Sequence, residues 1–170
     1  KFNGLKGIAL LIKKEKINLS PLINGGDSQT IYRAGTPPLP LIASFAKALR
    51  LALEDKPKAY LKVKEINNYL RDELIKIDSI TINSKIDSSP YILNFSIKGI
   101  KPETMIHKLE SYNIYLSTKT ACSSKEDYSK SIYELTKDKE ISKTSLRLSL
   151  SKDSTMEEAK EFIKILKNNL

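Results

Sequence analysis

The spacing of apolar residues changes abruptly near the middle of the chain, and this change constrains the fold more than any other feature. Between Pro57 and Ile77, apolar side chains recur every three or four positions, as one face of a helix requires: Val63, Ile66, Leu70, Leu74 and Ile77. After Ile77, apolar and polar residues alternate in 91–97 and again in 146–150, which is the pattern of half-buried strands. From about residue 57 onward, the sequence therefore predicts an α+β domain.

Shorter signals complete this pattern. A helix is predicted from Leu39 because five apolar residues share one of its faces, namely Ile42, Phe45, Ala46, Leu49 and Leu53. Pro57 interrupts that face and suits the first position of a second helix. The same rules predict further short elements, with strands at 80–82 and 114–116 and helices at 102–111 and 126–137. Ser154 or Thr155 should cap a last helix.

The first 56 residues do not complete such a domain. Residues 7–13 are apolar enough for a buried strand, and the loop that follows has a turn signal at Gly25-Gly26. A single strand followed by a long loop cannot bury its own faces. We therefore expect residues 1–56 to end a larger sheet domain whose other strands precede residue 1, and residues 57–170 to form a small α+β domain.

Composition narrows the class of protein. The net charge is +9, but the excess is almost all lysine interleaved with Glu and Asp, as on solvated helix faces. Because no zinc-finger, aromatic RNA-binding or basic-zipper pattern occurs, direct binding of nucleic acid is not expected. The chain lacks an apolar run that could span a bilayer, and its start lacks the regions of a signal peptide. No membrane attachment is therefore expected, and a cytoplasmic location is predicted.

The chain has one cysteine, Cys122, so it has no internal disulfide framework. Lys119 and Lys125 flank it among Ser and Thr residues, an environment that favours the reactive thiolate. The alternative is an inert, buried thiol. The single histidine, His107, has no other Cys, His or paired carboxylates near it in sequence, so no metal site is expected and a helix surface position is predicted.

Two arginines are candidates for binding anions. Arg147 alternates with leucines on a predicted strand and should face the same way as Ser145 and Ser149. It could hold a substrate carboxylate through two hydrogen bonds or form an ordinary surface salt bridge, and the spacing does not choose between them. The segment Arg33-Ala34-Gly35-Thr36 offers a cation, backbone amides and a hydroxyl, a set that suits a phosphate but also occurs in ordinary turns.

Taken in order, these motifs resemble the class-V aminotransferase-like cysteine desulfurases over essentially the whole chain. KFNGLKGIALL resembles the segment that carries the lysine holding pyridoxal phosphate, NGG followed by RAGT resembles a cofactor-phosphate signature, and YILNFS resembles a strand that ends near the active site. IYLSTKTACSSKE resembles the loop that bears the catalytic cysteine, and SLRLSLSKDSTMEE resembles the strand that presents a substrate-binding arginine.

The resemblance implies the type I fold of pyridoxal-phosphate-dependent transferases, an α/β fold, and roles for five residues. Lys1 would hold the cofactor and act as a base, Thr36 would reach the cofactor phosphate of a partner subunit in a homodimer, and Arg147 with Asn94 would bind the substrate. Cys122 would take sulfur from L-cysteine and release L-alanine. Its persulfide would pass to an acceptor protein, either a scaffold for iron–sulfur clusters or a tRNA-thiolation enzyme.

Other functions stay open at this point. A selenocysteine lyase or an aminotransferase would share the fold, and a free-standing small domain could carry sulfur or bind a partner without catalysis. Residues 27–32 depart from the family's usual sequence. The family's phosphate-binding loop, its ring-stacking histidine and its aspartate partner for the pyridine nitrogen have no counterpart here, so the 170 residues alone are expected to be inactive.

Overall fold

The computed structural model describes residues 2–26, 30–118 and 127–170. They belong to two compact units, Lys1–Pro57 and Lys58–Leu170. The assignment of residues 1–56 to a large domain and 57–170 to a small one stays a prediction. No described helix combines the length and apolar character needed to cross a membrane.

The first unit contains turns and bridges rather than a strand. The strand predicted at residues 7–13 is not formed among the described residues, where Ile12 is 85% exposed. Because the strands expected to pair with it precede residue 1, its burial in a larger sheet stays a prediction. A strand needs a neighbour for its backbone hydrogen bonds, and a short apolar run does not supply one. Isolated bridges instead join Arg33 to Ile23 and to Thr30. Phe2 packs edge to face against Phe45, with ring centroids 5.0 Å apart.

A long helix, α1, runs from Leu39 to Leu74 and contains Pro57 in its interior. The prediction that Pro57 starts a second helix is wrong. Proline removes one backbone donor and crowds the carbonyl four residues earlier, which a helix can accommodate by bending when the turns on both sides are intact. The predicted apolar face of the second half is confirmed, because Val63, Ile66, Leu70 and Leu74 are all buried.

Three antiparallel strands form the sheet of the second unit in the order β1-β2-β3: β1 is Ile80–Ile82, β2 is Ile92–Ile97 and β3 is Ser145–Ser149. These strands confirm the alternation seen in the sequence. The predicted strand at 114–116 is wrong, because only Ser117, just beyond it, forms a bridge to β3. Ile114 and Leu116 pack their side chains against the core without a backbone ladder.

Among the described residues, four further helices follow α1: α2 is Pro102–Glu110, α3 is Lys130–Thr136, α4 is Lys139–Lys143 and α5 is Met156–Asn168. The α2 prediction is confirmed, whereas α3 is shorter than the predicted 126–137 and α4 is too short to show a period. Thr155 caps α5 through a capping box, in which its hydroxyl accepts from the Glu158 backbone and the Glu158 carboxylate accepts from the Thr155 backbone.

The core of the second unit lies between α1, α2, α5 and one face of the sheet. On that face Leu93 lies opposite Leu148 and Phe95 lies opposite Leu146. Phe95 also packs at an angle against Phe162 of α5, with ring centroids 6.4 Å apart. Fully burying a side chain of this size contributes about 1.5–3 kcal/mol, so this face holds the sheet in place and leaves the opposite face for other residues.

Candidate functional site

The face of the sheet away from the core carries a line of polar residues. Asn94 lies directly opposite Arg147 in the β2–β3 register. Asn83, one residue beyond β1, donates its backbone N–H to the Asn94 carbonyl at 2.8 Å, and Ser117 bridges to Arg147 on the other side. Because directly opposed residues in antiparallel strands project to the same face, these four side chains form one row across the sheet. We call Asn83, Asn94, Arg147 and Ser117 the polar row.

This polar face is buried rather than solvated. Asn94 and Asn83 are each 7% exposed, and Ser96 and Ser145 are buried as well. The Ser96 hydroxyl donates to the carbonyl of Ile141 in α4 at 2.8 Å, which ties that helix to this side of the sheet. The alternation in β2 was therefore predicted correctly, but its polar residues are enclosed instead of facing water.

A hydrogen-bond network fixes the amides of the polar row. The Asn83 Nδ2 donates both to Asn94 Oδ1 at 2.7 Å and to the Ser96 hydroxyl at 2.8 Å. The Asn94 backbone N–H donates to the Ser84 hydroxyl at 2.8 Å. Asn83 Oδ1 is buried and has no hydrogen-bond partner within the described residues. The network thus holds Asn94 firmly while leaving one acceptor on Asn83 unused.

Arg147 is held by its backbone, whereas the Nε of its guanidinium has no hydrogen-bond partner in residues 2–26, 30–118 and 127–170. Its backbone N–H donates to the Ser117 carbonyl at 2.6 Å, and its carbonyl accepts from the Ser117 N–H at 3.1 Å. Its Nε is buried without a hydrogen-bond partner, and in the described part of the chain no carboxylate pairs with it. The surface salt bridge considered as an alternative is therefore not formed there. A cation placed in this way can accept a carboxylate or another anion.

Arg71 of α1 shows the opposite situation. Its three guanidinium nitrogens donate to Asn67 Oδ1 at 2.7 Å, to the Ser84 carbonyl at 2.8 Å and to the Lys85 carbonyl at 3.0 Å. Desolvation by burial lowers the pKa of Arg71 from its ordinary value. The bonds to Ser84 and Lys85 attach the chain that follows β1 to α1 and help to position Asn83 at the end of the polar row, whereas the bond to Asn67 lies within α1.

Thr36 lies in the first unit, three residues before α1 begins, and it is exposed. Within the described residues its hydroxyl has no hydrogen-bond partner, so it is free to donate to an anion such as a phosphate. Arg33 is also exposed but donates to the Ala34 carbonyl at 2.7 Å. Gly35 has φ +117°, a backbone conformation that L side chains rarely adopt, so this turn favours glycine.

Two predicted residues, Lys1 and Cys122, lie outside the described residues. Of the predicted site residues within them, Asn94 and Arg147 are brought together on the polar row, while Thr36 belongs to the other unit. Sequence reasoning missed Asn83 and Ser117. The two-residue alternation of Thr81 and Asn83 could have extended β1 to Asn83, but nothing in the sequence around Ser117 indicated its bridge.

His107 has the surface position predicted for it. It lies on α2 with its side chain 77% exposed, and its Nδ1 is 3.2 Å from a carboxylate oxygen of Glu110. Across residues 2–26, 30–118 and 127–170, no group of His, Cys, Asp and Glu could hold a metal ion. A cavity of about 340 Å³ opens between the 112–116 segment and α5, but its lining is mostly apolar and includes none of the polar row.

Comparison with known proteins identifies the family. The model of the family "Aminotransferase class-V" matches residues 1–162. A NifS/IcsS protein homolog of Lactobacillus delbrueckii subsp. bulgaricus is 41% identical over 96% of this chain and 43% of its own length. The cysteine desulfurase IscS of Clostridium botulinum is 32% identical over 98% of this chain and 43% of its own length. The mitochondrial cysteine desulfurase of Saccharomyces cerevisiae is 28% identical over 100% of this chain and 35% of its own length. The chain therefore spans about two fifths of the length of these relatives.

Solved structures agree on the fold. A NifS-like protein matches with a TM-score of 0.75 at 25% identity, covering 92% of this chain and 40% of that one. The cysteine desulfurase CsdA of Escherichia coli matches with a TM-score of 0.66 at 20% identity, covering 88% of this chain and 38% of that one. At this identity the match shows only that the two folds are alike. The predicted type I fold of pyridoxal-phosphate-dependent enzymes is confirmed, with the small antiparallel sheet as part of it.

Proposed function

The chain belongs to the class-V aminotransferase family, as a segment of the cysteine desulfurase type, and we propose that it is the C-terminal portion of an enzyme that converts L-cysteine to L-alanine and leaves a persulfide on Cys122. One observation carries this proposal: among the described residues the buried Nε of Arg147 has no hydrogen-bond partner, and Arg147 lies opposite Asn94 on an enclosed polar face. A buried guanidinium nitrogen without a hydrogen-bond partner is unfavourable for folding, and a bound ligand that accepts a hydrogen bond from it would remove this penalty.

The polar row suits the carboxylate of an amino acid. Arg147 has five N–H donors in a planar fork that matches a carboxylate, and Asn94 adds an amide beside it. The hydrogen bonds from Asn83 to Asn94 and from Arg147 to Ser117 hold both residues before a substrate arrives. We assign substrate binding to Arg147 and Asn94, which would bind the carboxylate of L-cysteine and so place its sulfur on the side of the nucleophile.

Cys122 is assigned as that nucleophile. It follows Ser117 by five residues, and five residues of extended chain span at most ~18 Å, so the backbone bridge between Ser117 and Arg147 keeps the thiol within reach of the bound substrate. The Cys122 thiolate would attack the substrate sulfur, forming an S–S bond as the substrate C–S bond breaks. The electron pair of the broken bond stays on the carbon skeleton, which takes up protons to become alanine.

Pyridoxal phosphate is the cofactor of this proposal, and the described residues fit part of its site. The exposed, unbonded hydroxyl of Thr36 is suited to donate to a phosphate oxygen, and Lys1 is assigned as the residue that holds the cofactor and moves the α-proton. When bound, the cofactor supplies an electron sink for the carbon skeleton of the substrate. We further assign Thr36 to the cofactor of a partner subunit, which makes the enzyme a homodimer.

The proposal also includes where the sulfur goes. A persulfide on Cys122 would pass to an acceptor protein, either an iron–sulfur scaffold or a tRNA-thiolation enzyme, without direct contact with nucleic acid. We propose a cytoplasmic location, although the relative from Saccharomyces cerevisiae is mitochondrial. The chain by itself, spanning about two fifths of its relatives' length, is proposed to be inactive.

The test is intact-mass spectrometry of the full-length enzyme before and after addition of pyridoxal phosphate and L-cysteine, with alanine measured in parallel. The proposal predicts a gain of sulfur on the protein and release of alanine, and Cys122→Ser should lose both while still binding the cofactor. A wild-type enzyme that makes a keto acid and gains no sulfur would be an aminotransferase. One that acts on selenocysteine but leaves cysteine intact would be a selenocysteine lyase, and either result contradicts the proposal.

A further inference from the structure

Asn83 makes two side-chain hydrogen bonds within the polar face, and the proposed function assigns no role to it. It lies one residue beyond β1, beside Asn94, and only 7% of it is exposed. We propose that Asn83 is a positioning residue that determines which end of the Asn94 amide faces the substrate carboxylate. This inference rests on the proposed function, because it deepens the assignment of Asn94 and Arg147 to the substrate.

The orientation of both amides follows from a chain of donors that starts at α4. The Ser96 hydroxyl donates its single hydrogen to the Ile141 carbonyl at 2.8 Å, so toward Asn83 it can only accept. Asn83 must therefore present its Nδ2 to Ser96, at 2.8 Å. The second hydrogen of the same Nδ2 reaches Asn94 Oδ1 at 2.7 Å. The oxygen end of the Asn94 amide is thus turned toward Asn83.

The nitrogen end of Asn94 is consequently the end that it can offer to a ligand. Arg147, directly opposite, has donors and no acceptor. Two donor groups side by side, one of them charged, favour a carboxylate, which has only acceptors. If the Asn94 amide were reversed, its oxygen could accept from the Arg147 guanidinium and would compete with the substrate for the same donors. Asn83 prevents that competition.

The unused oxygen of Asn83 supports a functional reason for this residue. Asn83 Oδ1 is buried without a partner within the described residues. A buried acceptor without a donor is unfavourable, so packing alone would be served better by an apolar residue. The amide is explained by what its nitrogen does, which is to bond Asn94 and Ser96 at the same time.

A double-mutant cycle in the full-length enzyme tests the role. Asn83→Ala should raise the KM for L-cysteine about tenfold while kcat changes less than about twofold, because the loss falls on a hydrogen bond to a charged ligand. In an Asn94→Ala background the same substitution should leave KM unchanged, since there is no amide left to orient. A residue with a purely structural role would shift KM equally in both backgrounds, and that result would overturn the proposal.

Asn67 provides the matched control. It is 2% exposed and its amide also makes two hydrogen bonds, to the Pro90 carbonyl at 2.8 Å and from Arg71 at 2.7 Å, but it is not part of the polar row. Asn67→Ala should lower the urea midpoint at least as much as Asn83→Ala and leave KM unchanged. An equal rise in KM for the two variants would contradict a specific role for Asn83.

Asn83→Asp is the second variant and reverses the polarity instead of removing the group. An ionised carboxylate only accepts, so Asn94 would have to turn its Nδ2 toward position 83 and its oxygen toward Arg147. KM should then rise above that of Asn83→Ala, and wild-type KM in a folded Asn83→Asp enzyme would overturn the inference. If the wild-type enzyme itself does not turn over L-cysteine, the proposed function fails, which is a distinct outcome from a failure of Asn83 alone.

Discussion

Replacing Arg147 with methionine should separate stability from function. The buried Nε of Arg147 has no partner in the part of the chain that the structure describes, and an unsatisfied buried polar group costs about 1–3 kcal/mol. Methionine fills a similar length without a polar hydrogen. We therefore expect the free energy of unfolding to stay constant or to rise by about 1 kcal/mol. In the full-length enzyme, the same change would remove two charge-assisted hydrogen bonds of roughly 1.5–3 kcal/mol each, so kcat/KM should fall at least ~100-fold.

The control for this prediction is Arg71→Met. Arg71 donates three hydrogen bonds, and its loss would leave Asn67 Oδ1 and the Ser84 carbonyl without this donor, whereas the Lys85 carbonyl still accepts from the Ser88 backbone N–H. Because Arg71 is only part-buried, we expect a loss of about 2–4 kcal/mol in the free energy of unfolding. Urea unfolding followed by far-UV circular dichroism measures both variants. If Arg147→Met were as destabilising as Arg71→Met, the guanidinium of Arg147 would have a structural partner, and its assignment to the substrate would be wrong.

Three further predictions concern the second unit and its supports. Thr155→Ala removes the cap of α5 and should lower the free energy of unfolding by about 1 kcal/mol. Ser129→Ala, at the start of α3, removes no capping hydrogen bond and should lower it by only about 0.3 kcal/mol. Urea titration of both variants measures the difference. Hydrogen bonds from Lys167, and then from Lys76, lower the pKa of Glu73 from 4.5 to about 2. The resulting contribution to the free energy of unfolding should be complete above pH 4.5 and should disappear as the pH falls toward 2. Acid titrations of Glu73→Gln should lack this part of the pH dependence. Phe95→Ala should lower the free energy of unfolding by about 3–5 kcal/mol, and a decrease below about 1 kcal/mol would mean that Phe95 is not a core residue.

The parts of the fold that sequence predicted well are those in which burial follows a simple period. The apolar residues Val63, Ile66, Leu70 and Leu74 recur at helical spacing and are buried. In β2, Leu93 and Phe95 alternate with polar residues and face the core. Thr155 was one of two caps proposed for α5 because a hydroxyl before a helix satisfies a free backbone N–H. These signals are local, so each can be recognised in a few residues.

The errors came from interactions that a short segment does not contain. Residues 7–13 have the apolar composition of a strand but lack a partner among the described residues. Pro57 disfavours a helix locally, yet the turns on both sides carry α1 through it. The role of Asn83 depends on Asn94 and Ser96, which are 11 and 13 positions away in the chain. Contacts of this kind arise only when strands pair.

The enclosed polar face of the sheet has a consequence for tolerance to mutation. By their alternation with apolar residues, Asn94, Ser96 and Ser145 would be classified as surface positions, where lysine or glutamate is usually accepted. All three are buried, so a charge at Ser96 or Ser145 would lose its hydration without gaining a partner from the polar row, and a lysine at position 94 would do so opposite the Arg147 guanidinium. A complete substitution scan should therefore find these three polar positions as restrictive as Phe95, and natural variation at them should be limited to small, uncharged residues.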